Sequence, residues 1–198
     1  DITIDVQING ELPFPEAVGI TLPRIYKNDG DIRKDANGNE IAPRQIMVLD
    51  PVAHTLMNTS GFYEGNYQFP LVKGKNEIRL LCTNTEVEIC GVTIALKTEI
   101  PSYQEYLTLH PGTDTSGQCI VIQAESAKEK TTSMLYPTYD RNNAATQSID
   151  GSLNSPSVIR INAAGGEMWK QTGQWMSWDI EVPESGYYNL GFKYRQRY

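Results

Sequence analysis

Apolar and polar residues alternate along much of this chain, with the two-residue period that is typical of a β-strand. The alternation is most regular at residues 2–9, ITIDVQIN, and the pair Asn9-Gly10 that follows predicts a turn. The same pattern predicts further strands at residues 45–49, 67–72, 76–82, 87–96, 119–127 and 158–162. We therefore expect an all-β protein, with one helical turn at residues 103–107.

The segment 173–194, GQWMSWDIEVPESGYYNLGFKY, predicts a β-hairpin. Apolar residues occupy every second position from Met176 to Val182, and again from Tyr188 to Tyr194. Pro183 cannot donate to a strand ladder and Gly186 tolerates positive φ, so the turn is expected between them. Each arm then has one apolar face, which predicts that the hairpin belongs to a packed sheet.

The composition agrees with strands joined by turns and excludes some partners. The 198 residues include 11 Tyr against 4 Phe, together with 16 Gly and 11 Pro. The formal net charge of −7 argues against a nucleic-acid partner, because phosphate binding needs clustered Lys and Arg. No apolar stretch approaches the roughly 20 residues of a membrane span, so none is expected.

The chain begins at Asp1 inside a strand pattern and stops at Tyr198 just after one, so we expect both ends to be cuts within a longer protein. The three cysteines, an odd number, do not make a self-contained disulfide framework. Cys82, Cys90 and Cys119 lie in apolar strand contexts, which predicts buried free thiols. A Cys90–Cys119 disulfide is the alternative, if their strands are neighbours.

The hairpin sequence GQWMSWDIEVPESGYYNLGFKYR resembles the central hairpin of carbohydrate-binding modules of the family 6 and family 35 type. IVIQAESA, at residues 120–127, resembles the first strand of those modules, and ITIDVQINGELPF and LVKGKNEIRLL resemble later strands. The resemblance implies a jelly-roll β-sandwich of the galactose-binding-like superfamily. It also implies an extracellular or cell-surface module that binds an oligo- or polysaccharide and belongs to a larger secreted bacterial protein.

The order of these segments differs from the order in the resembled modules. The later strands occupy residues 1–97, the early strands occupy residues 119–198, and residues 98–118 form a linker. The resemblance therefore implies the back half of one tandem module followed by the front half of the next. Because each half alone would expose an apolar face, we predict one composite, circularly permuted jelly roll, formed within one chain or by strand exchange in a dimer. Two small independent sandwiches are the alternative.

Aromatic and amide side chains are the candidates for a sugar site, because an aromatic face packs on the apolar side of a pyranose while amides and carboxylates bond its hydroxyls. Trp178 lies on the apolar stripe and is expected in the core, whereas Trp175 has the opposite parity and is expected to face away from the core. Trp169 lies in a Gly-rich loop. Burial under other loops is the alternative for Trp169 and Trp175. The polar segment 126–154 adds candidates, unless it is a solvated loop. The candidate residues are Trp169, Trp175, Tyr63, Tyr136, Tyr139, Asp140, Arg141, Asn142 and Asn143.

The resembled modules hold a structural calcium with acidic side chains on the first strand and a carboxylate near the last strand. Gln123 and Glu125 match the first-strand positions, and both offer oxygen ligands. The last-strand segment, ICGVTIAL, has no Asp where the resemblance requires one, so we expect a weakened calcium site or none. In the acidic loop DGDIRKDANGNE, Arg33 and Lys34 occupy positions where calcium ligands would be needed. No other cofactor is expected.

Motifs of enzymes are missing from the sequence, which contains no GxSxG, HExxH, P-loop or GxGxxG. His54 and His110 lie in irregular segments without a Cys or Ser nucleophile motif. Together with the resemblance and the aromatic and amide candidates, this predicts non-catalytic carbohydrate binding. A structural spacer or protein-interaction module is the first alternative, and a jelly-roll glycosidase or lyase, which needs two close carboxylates or a similar cluster, is the second.

Overall fold

The computed structural model describes residues 1–63, 65–97, 99–112, 119–139 and 157–195. Within these residues the paired strands are antiparallel and helix is scarce, so the prediction of an all-β protein is confirmed. The strands are β1 Ile2–Ile8, β2 Ile20–Leu22, β3 Tyr26–Asn28, β4 Arg33–Lys34, β5 Glu40–Ile41, β6 Gln45–Met47, β7 Ile78–Cys82, β8 Glu129–Lys130 and β9 Met176–Ser177. The helices are α1 Tyr103–Leu109 and short 3-10 helices at Pro15–Ala17, Ala124–Ser126 and Gly166–Met168.

The first sheet has the order β2-β1-β7 and contains the longest strand, β1. Alternate residues of β1 point into a buried cluster, as the two-residue period predicts. Ile4 faces Ile20 of β2, and Ile8 faces Ile78 of β7. The cluster consists of Ile4, Val6, Ile8 and Ile20, with Ile2, Leu22, Leu56, Tyr67, Phe69, Ile78 and Leu80 packed around it.

The predicted turn at Asn9-Gly10 is confirmed. Ile8 and Glu11 exchange backbone hydrogen bonds of 2.9 and 3.0 Å. The two residues between them have φ of 52° and 85°. Positive φ at both central positions is the backbone that an Asn-Gly pair favours in a two-residue hairpin turn, because its twist matches that of paired strands.

The second sheet has the order β6-β3-β8-β9. Tyr26 of β3 pairs with Lys130 of β8, and Lys130 pairs on its other side with Met176 of β9. Strands from residues 1–97 and from residues 119–198 therefore share one sheet. The composite, circularly permuted arrangement remains a prediction, since this pairing does not define a jelly roll.

The acidic loop between β4 and β5 is organised by its own side chains. Asp35 accepts hydrogen bonds from the backbone N–H groups of Asn37 and Asn39, both at 2.8 Å, and from the Asn39 amide at 2.9 Å. The Asn39 side-chain bond is the largest cause that lowers the pKa of Asp35. The Asp35 carboxylate therefore stabilises the turn of this hairpin.

The same hairpin is attached to residues 159–161. Asn39 accepts a hydrogen bond from the Ile159 N–H at 2.9 Å, and Glu40 donates its own N–H to the Ile159 carbonyl at 3.0 Å. The buried Glu40 carboxylate accepts the Ile161 N–H at 2.6 Å and lies 3.5 Å from the Arg160 guanidinium. These contacts join segments that are about 120 positions apart in sequence.

Several strand predictions are wrong for the described residues. No strand is present at 67–72, 87–96, 119–127 or 158–162, and only Met176–Ser177 of the predicted hairpin is a strand. The predictions at 45–49 and 76–82 are confirmed in shortened form, as β6 and β7. A β-strand needs a neighbouring strand that shares its backbone hydrogen bonds. In the described part of the chain, no continuous ladder of such bonds forms beside these segments. Apolar side chains are exposed in 87–96 and in the predicted hairpin, for example Leu96 at 94% and Phe192 at 80%, whereas Ile161 is buried at 2%.

The chain divides into two compact units. The first unit, Asp1–Val92 with Gln123–Trp178, contains the strands named above. The second unit, Thr93–Ile122 with Asp179–Tyr198, contains α1. A capping box starts α1: the Ser102 hydroxyl accepts the Glu105 N–H at 3.3 Å, and Glu105 accepts the Ser102 N–H at 2.9 Å. The predicted helical turn at 103–107 is confirmed and extends to Leu109.

The cysteines differ from the prediction. Cys82, Cys90 and Cys119 are free thiols, but all three are exposed, so the predicted burial is wrong. Cys90 and Cys119 lie in predicted strands that do not form, and thus no sheet face covers them. Among the described residues, no helix combines the length and the apolar character that crossing a bilayer requires.

Candidate functional site

The first unit contains a polar cleft with a volume of about 500 Å³. Six of its lining residues carry hydroxyl groups and two carry side-chain amides, so most of its surface can form hydrogen bonds. The lining residues are Asp1, Thr21, Pro23, His54, Met57, Thr59, Ser60, Thr131, Thr132, Lys170, Gln171, Thr172, Gly173 and Gln174. We call this site the polar cleft.

The loop 170–174 forms one wall of the polar cleft and is held by Gln174. The Gln174 side-chain oxygen accepts the N–H groups of Lys170 and Gln171, both at 2.9 Å. Gly173 has φ of 83°, a conformation that L side chains rarely adopt. The loop therefore turns tightly while its other side chains line the cleft.

The opposite wall is the segment 57–61, which is organised by Asn58. Its buried side-chain oxygen accepts the Ser60 N–H at 2.6 Å and the Ser60 hydroxyl at 2.5 Å. The two walls approach closely at Gly61, where an added Cβ would lie 3.1 Å from the Thr172 hydroxyl oxygen. The cleft is thus formed between two loops that are more than 100 positions apart in sequence.

Both predicted tryptophans are at the ends of the cleft loop. The Trp175 N–H donates to the Thr131 hydroxyl at 3.1 Å, and the Thr131 N–H donates to the Trp175 carbonyl at 3.2 Å. Trp175 is half-buried, whereas Trp169 is 46% exposed. The Trp178 indole, expected in the core, is also half-buried, and its N–H donates to the Ala124 carbonyl at 3.2 Å.

The orientation of Trp169 is fixed on two sides. Its indole N–H donates to the Gln174 carbonyl at 3.3 Å. Its ring covers Gly165, where an added Cβ would lie 2.8 Å from Cε3 of the indole. A large aromatic ring is therefore held in place and partly exposed beside the loop that lines the polar cleft.

The other predicted site residues are only partly covered by the structure. Tyr136 and Tyr139 are exposed, at 44% and 49%. The segment between them pairs through Thr138 with Ala163, just before the loop that carries Trp169. Asn142, together with Asp140, Arg141 and Asn143, lies outside the described residues.

The two predicted metal ligands lie at the 3-10 helix Ala124–Ser126. Glu125 is 1% exposed, and the Gln123 carbonyl accepts the Ser126 hydroxyl at 2.7 Å. In the part of the chain that the structure describes, no group of three or more His, Cys, Asp and Glu side chains could hold a metal ion. The calcium role of Gln123 and Glu125 remains a prediction.

The charges in the polar cleft nearly cancel. Among its described lining residues, the charged side chains are the Asp1 carboxylate and the Lys170 ammonium. Burial lowers the pKa of His54, so this side chain is neutral at pH 7. A near-neutral lining that is rich in hydroxyls and amides suits an uncharged, polyhydroxylated ligand.

A second concave surface of the first unit is aromatic. It has a volume of about 240 Å³ and is lined by Phe14, Glu16, Tyr63, Tyr67 and Gln68, and we call it the aromatic groove. The rings of Tyr63 and Tyr67 are nearly parallel, with an interplanar angle of 13° and centroids 6.4 Å apart. Phe14 is tilted by 41° to Tyr67, with centroids 5.2 Å apart.

Of the predicted residues, Tyr63 lines the aromatic groove, and Trp169 and Trp175 flank the cleft loop in sequence. No residue that lines the polar cleft was predicted from the sequence. The hydroxyl residues of the cleft are isolated along the chain and have no motif. Glu16 lies in the 3-10 helix Pro15–Ala17 and Phe14 is the N-cap of that helix, so no strand period marks either residue. Contacts between distant loops create both surfaces, and a local pattern does not record such contacts.

Comparison with protein-family models, with curated proteins and with solved structures gave no match.

Proposed function

We propose that this chain is a non-catalytic carbohydrate-binding protein whose ligand is an oligo- or polysaccharide. The observation that carries the proposal is the polar cleft, together with the partly exposed and oriented indole of Trp169 next to the loop 170–174. In this proposal the fold is a jelly-roll β-sandwich of the galactose-binding-like type that acts outside the cell. The antiparallel sheets and the β3–β8 pairing support that fold, and the resemblance of the four sequence segments supports the location.

The lining of the polar cleft matches the chemistry of sugar hydroxyl groups. Each hydroxyl of a sugar both donates and accepts a hydrogen bond, and Thr, Ser and Gln side chains can do the same. Thr59, Ser60 and Thr172 come from the two facing walls, so they can bond a ligand from opposite sides. The near-neutral charge favours an uncharged sugar over a phosphorylated or strongly anionic one.

Trp169 supplies the apolar surface that a pyranose ring needs. An aromatic ring stacks on the face of a sugar that carries C–H groups, while polar groups bond its edge. Because Gly165 and Gln174 hold the indole, little conformational entropy is lost on binding. Trp175 anchors the other end of the same loop and keeps the wall in position.

The composition of the cleft also supports binding without catalysis. Glycoside hydrolysis by the usual route needs two carboxyl groups that flank the bond to be broken. Among the described residues that line the cleft, Asp1 is the one that carries a carboxyl side chain. A binding role therefore accounts for the lining better than hydrolysis does.

Trp169→Ala is expected to weaken glycan binding by about tenfold or more, because removing an aromatic anchor costs about 2 kcal/mol. Thr172→Val, which removes one hydroxyl of the cleft, is expected to weaken it by about two- to tenfold. The measurement is a screen against soluble polysaccharides and immobilised glycans, followed by calorimetric titration of each variant with the glycan that binds.

Tyr103→Ala is the matched control, because Tyr103 is 76% exposed but lies in α1 of the second unit. It should bind like the unsubstituted protein. If the folded protein bound no glycan, the proposed function would be rejected. Glycan binding that neither Trp169→Ala nor Thr172→Val weakens would reject the polar cleft as the site.

A further inference from the structure

The aromatic groove has a chemical character different from that of the polar cleft. Three of its five lining residues are aromatic, and the other two are Glu16 and Gln68. Its described lining therefore contains one carboxylate and no basic side chain. Tyr63 is 53% exposed, so one ring of the groove is accessible from solvent.

The arrangement of the rings suits a cation. The face of an aromatic ring carries partial negative charge and attracts cations within about 6 Å of its centroid. Tyr63 and Tyr67 are nearly parallel, and Phe14 is inclined to them, so the three rings offer faces in more than one direction. Phe69 packs against Phe14 with centroids 5.3 Å apart and supports the base of the group.

The carboxylate of Glu16 adds a full negative charge beside these rings. Burial raises the pKa of the Tyr67 hydroxyl, and the negative charge of Glu16 raises that pKa further. The formal net charge of −7 strengthens the attraction of cations to the protein as a whole. A neutral ligand would gain nothing from either charge.

We propose that the aromatic groove binds a quaternary ammonium group, with choline as the representative ligand. A trimethylammonium group presents methyl groups that pack on the rings of Phe14, Tyr63 and Tyr67, and it spreads its positive charge over those methyl groups. It donates no hydrogen bonds, so its attraction to the groove comes from the ring faces and from the charge of Glu16. The groove, at about 240 Å³, is half the volume of the polar cleft and fits a small head group.

The test is an NMR titration of the ¹⁵N-labelled full chain with choline chloride and, separately, with 3,3-dimethylbutanol, the uncharged analogue of the same shape. Choline should shift the amide signals of residues near Phe14 and Tyr67 with a dissociation constant in the millimolar range. Dimethylbutanol should bind at least about tenfold more weakly, since it lacks the charge.

Substitutions in the groove should separate the contribution of the rings from that of the carboxylate. Tyr63→Ala and Glu16→Gln are each expected to weaken choline binding by about three- to tenfold. Glu86→Gln, at an exposed carboxylate that is not part of the lining, should leave it unchanged. Trp169→Ala should also leave it unchanged, which makes this result independent of glycan binding at the polar cleft.

Three results would overturn the proposal. Equal binding of choline and dimethylbutanol would make the groove a purely apolar surface. The expected dissociation constant is about 1 mM. If the amide signals of Phe14 and Tyr67 did not shift at choline concentrations up to about 50 times that value, the site would be excluded. Shifts at these residues with the neutral disaccharides maltose or cellobiose, but not with choline, would make the groove a sugar platform.

Discussion

Replacing Glu40 with alanine is expected to lower the free energy of unfolding by about 3–5 kcal/mol, which is the usual cost of removing one partner of a buried ion pair. The Glu40 side chain is 1% exposed and lies 3.5 Å from the Arg160 guanidinium, which is itself 18% exposed. Its carboxylate also accepts the Ile161 N–H at 2.6 Å. The substitution therefore leaves a largely buried cation and a buried N–H without this acceptor.

Glu40→Gln is expected to cost less, about 1–3 kcal/mol, because the amide oxygen can still accept the Ile161 N–H while the charge is lost. The matched control is Glu77→Ala. Glu77 pairs with Arg79 at 2.7 Å, but both side chains are more than half exposed, so the change should cost no more than about 1 kcal/mol.

The measurement is urea-induced unfolding of the three variants, together with hydrogen exchange at the Ile161 amide. That amide should exchange faster in Glu40→Ala than in Glu77→Ala. Similar losses of stability for Glu40→Ala and Glu77→Ala would show that Glu40 is not a buried link between the β4–β5 hairpin and residues 159–161.

Glu40 also illustrates the limit of what sequence can predict in this chain. It lies in the acidic loop DGDIRKDANGNE, which contains the turn-favouring pairs Asp29-Gly30 and Asn37-Gly38. Gly30 and Gly38 both have positive φ, as turns at these pairs favour. Burial of the Glu40 carboxylate depends on residues 159–161, and no local pattern indicates that contact.

The strand predictions also succeed where the contacts are local and fail where a distant partner is needed. β1 was predictable because its alternation, its turn and its partner β2 all lie within the first 22 residues. The segment 176–194 alternates regularly on both arms, and 87–96 alternates with one change of parity at Gly91. Yet Met176–Ser177 is the only strand that the described residues of these two segments form. Alternation shows which face of a strand would be buried, but the partner that buries it is a separate requirement.

Near the polar cleft, only the two tryptophans that flank its loop were predictable from the sequence. Trp169 and Trp175 could be selected because large aromatics outside an apolar stripe are uncommon. The hydroxyl residues that make the cleft polar have no such mark, since Thr and Ser are ordinary surface residues. The groove required Phe14 and Tyr67 to meet, and these residues are 53 positions apart.

Lys130 provides the second large effect, and its sign is opposite to that of Glu40. Lys130 is completely buried at the centre of the second sheet, between Tyr26 of β3 and Met176 of β9. Burial lowers its pKa from 10.5 to about 8. Its ammonium donates to the Asn28 side-chain oxygen at 2.7 Å, and that oxygen also accepts the Gln45 amide at 3.0 Å.

The lowered pKa fixes the pH dependence of stability. Between about pH 8 and 10.5 the unfolded chain binds the proton of Lys130 more tightly than the folded chain does. The contribution of Lys130 to the free energy of unfolding therefore rises with pH through this window, by an amount on the order of 3 kcal/mol. At neutral pH the folded protein carries the full cost of the buried charge.

Lys130→Met is accordingly expected to raise the free energy of unfolding by about 1–3 kcal/mol at pH 7.5, since an apolar side chain of similar length removes the cost of burying a charge. The Asn28 side-chain oxygen still accepts the hydrogen bond from Gln45, so the substitution leaves no buried acceptor without a donor. The stabilisation should shrink towards zero at pH 10.5, where Lys130 is neutral in the folded protein. Urea unfolding at both pH values, with the exposed Lys27→Met as control, measures the difference. An equal stabilisation at both pH values would show that packing, rather than the charge, is responsible. A loss of stability at pH 7.5 would show that the Lys130–Asn28 hydrogen bond outweighs the cost of burying the charge.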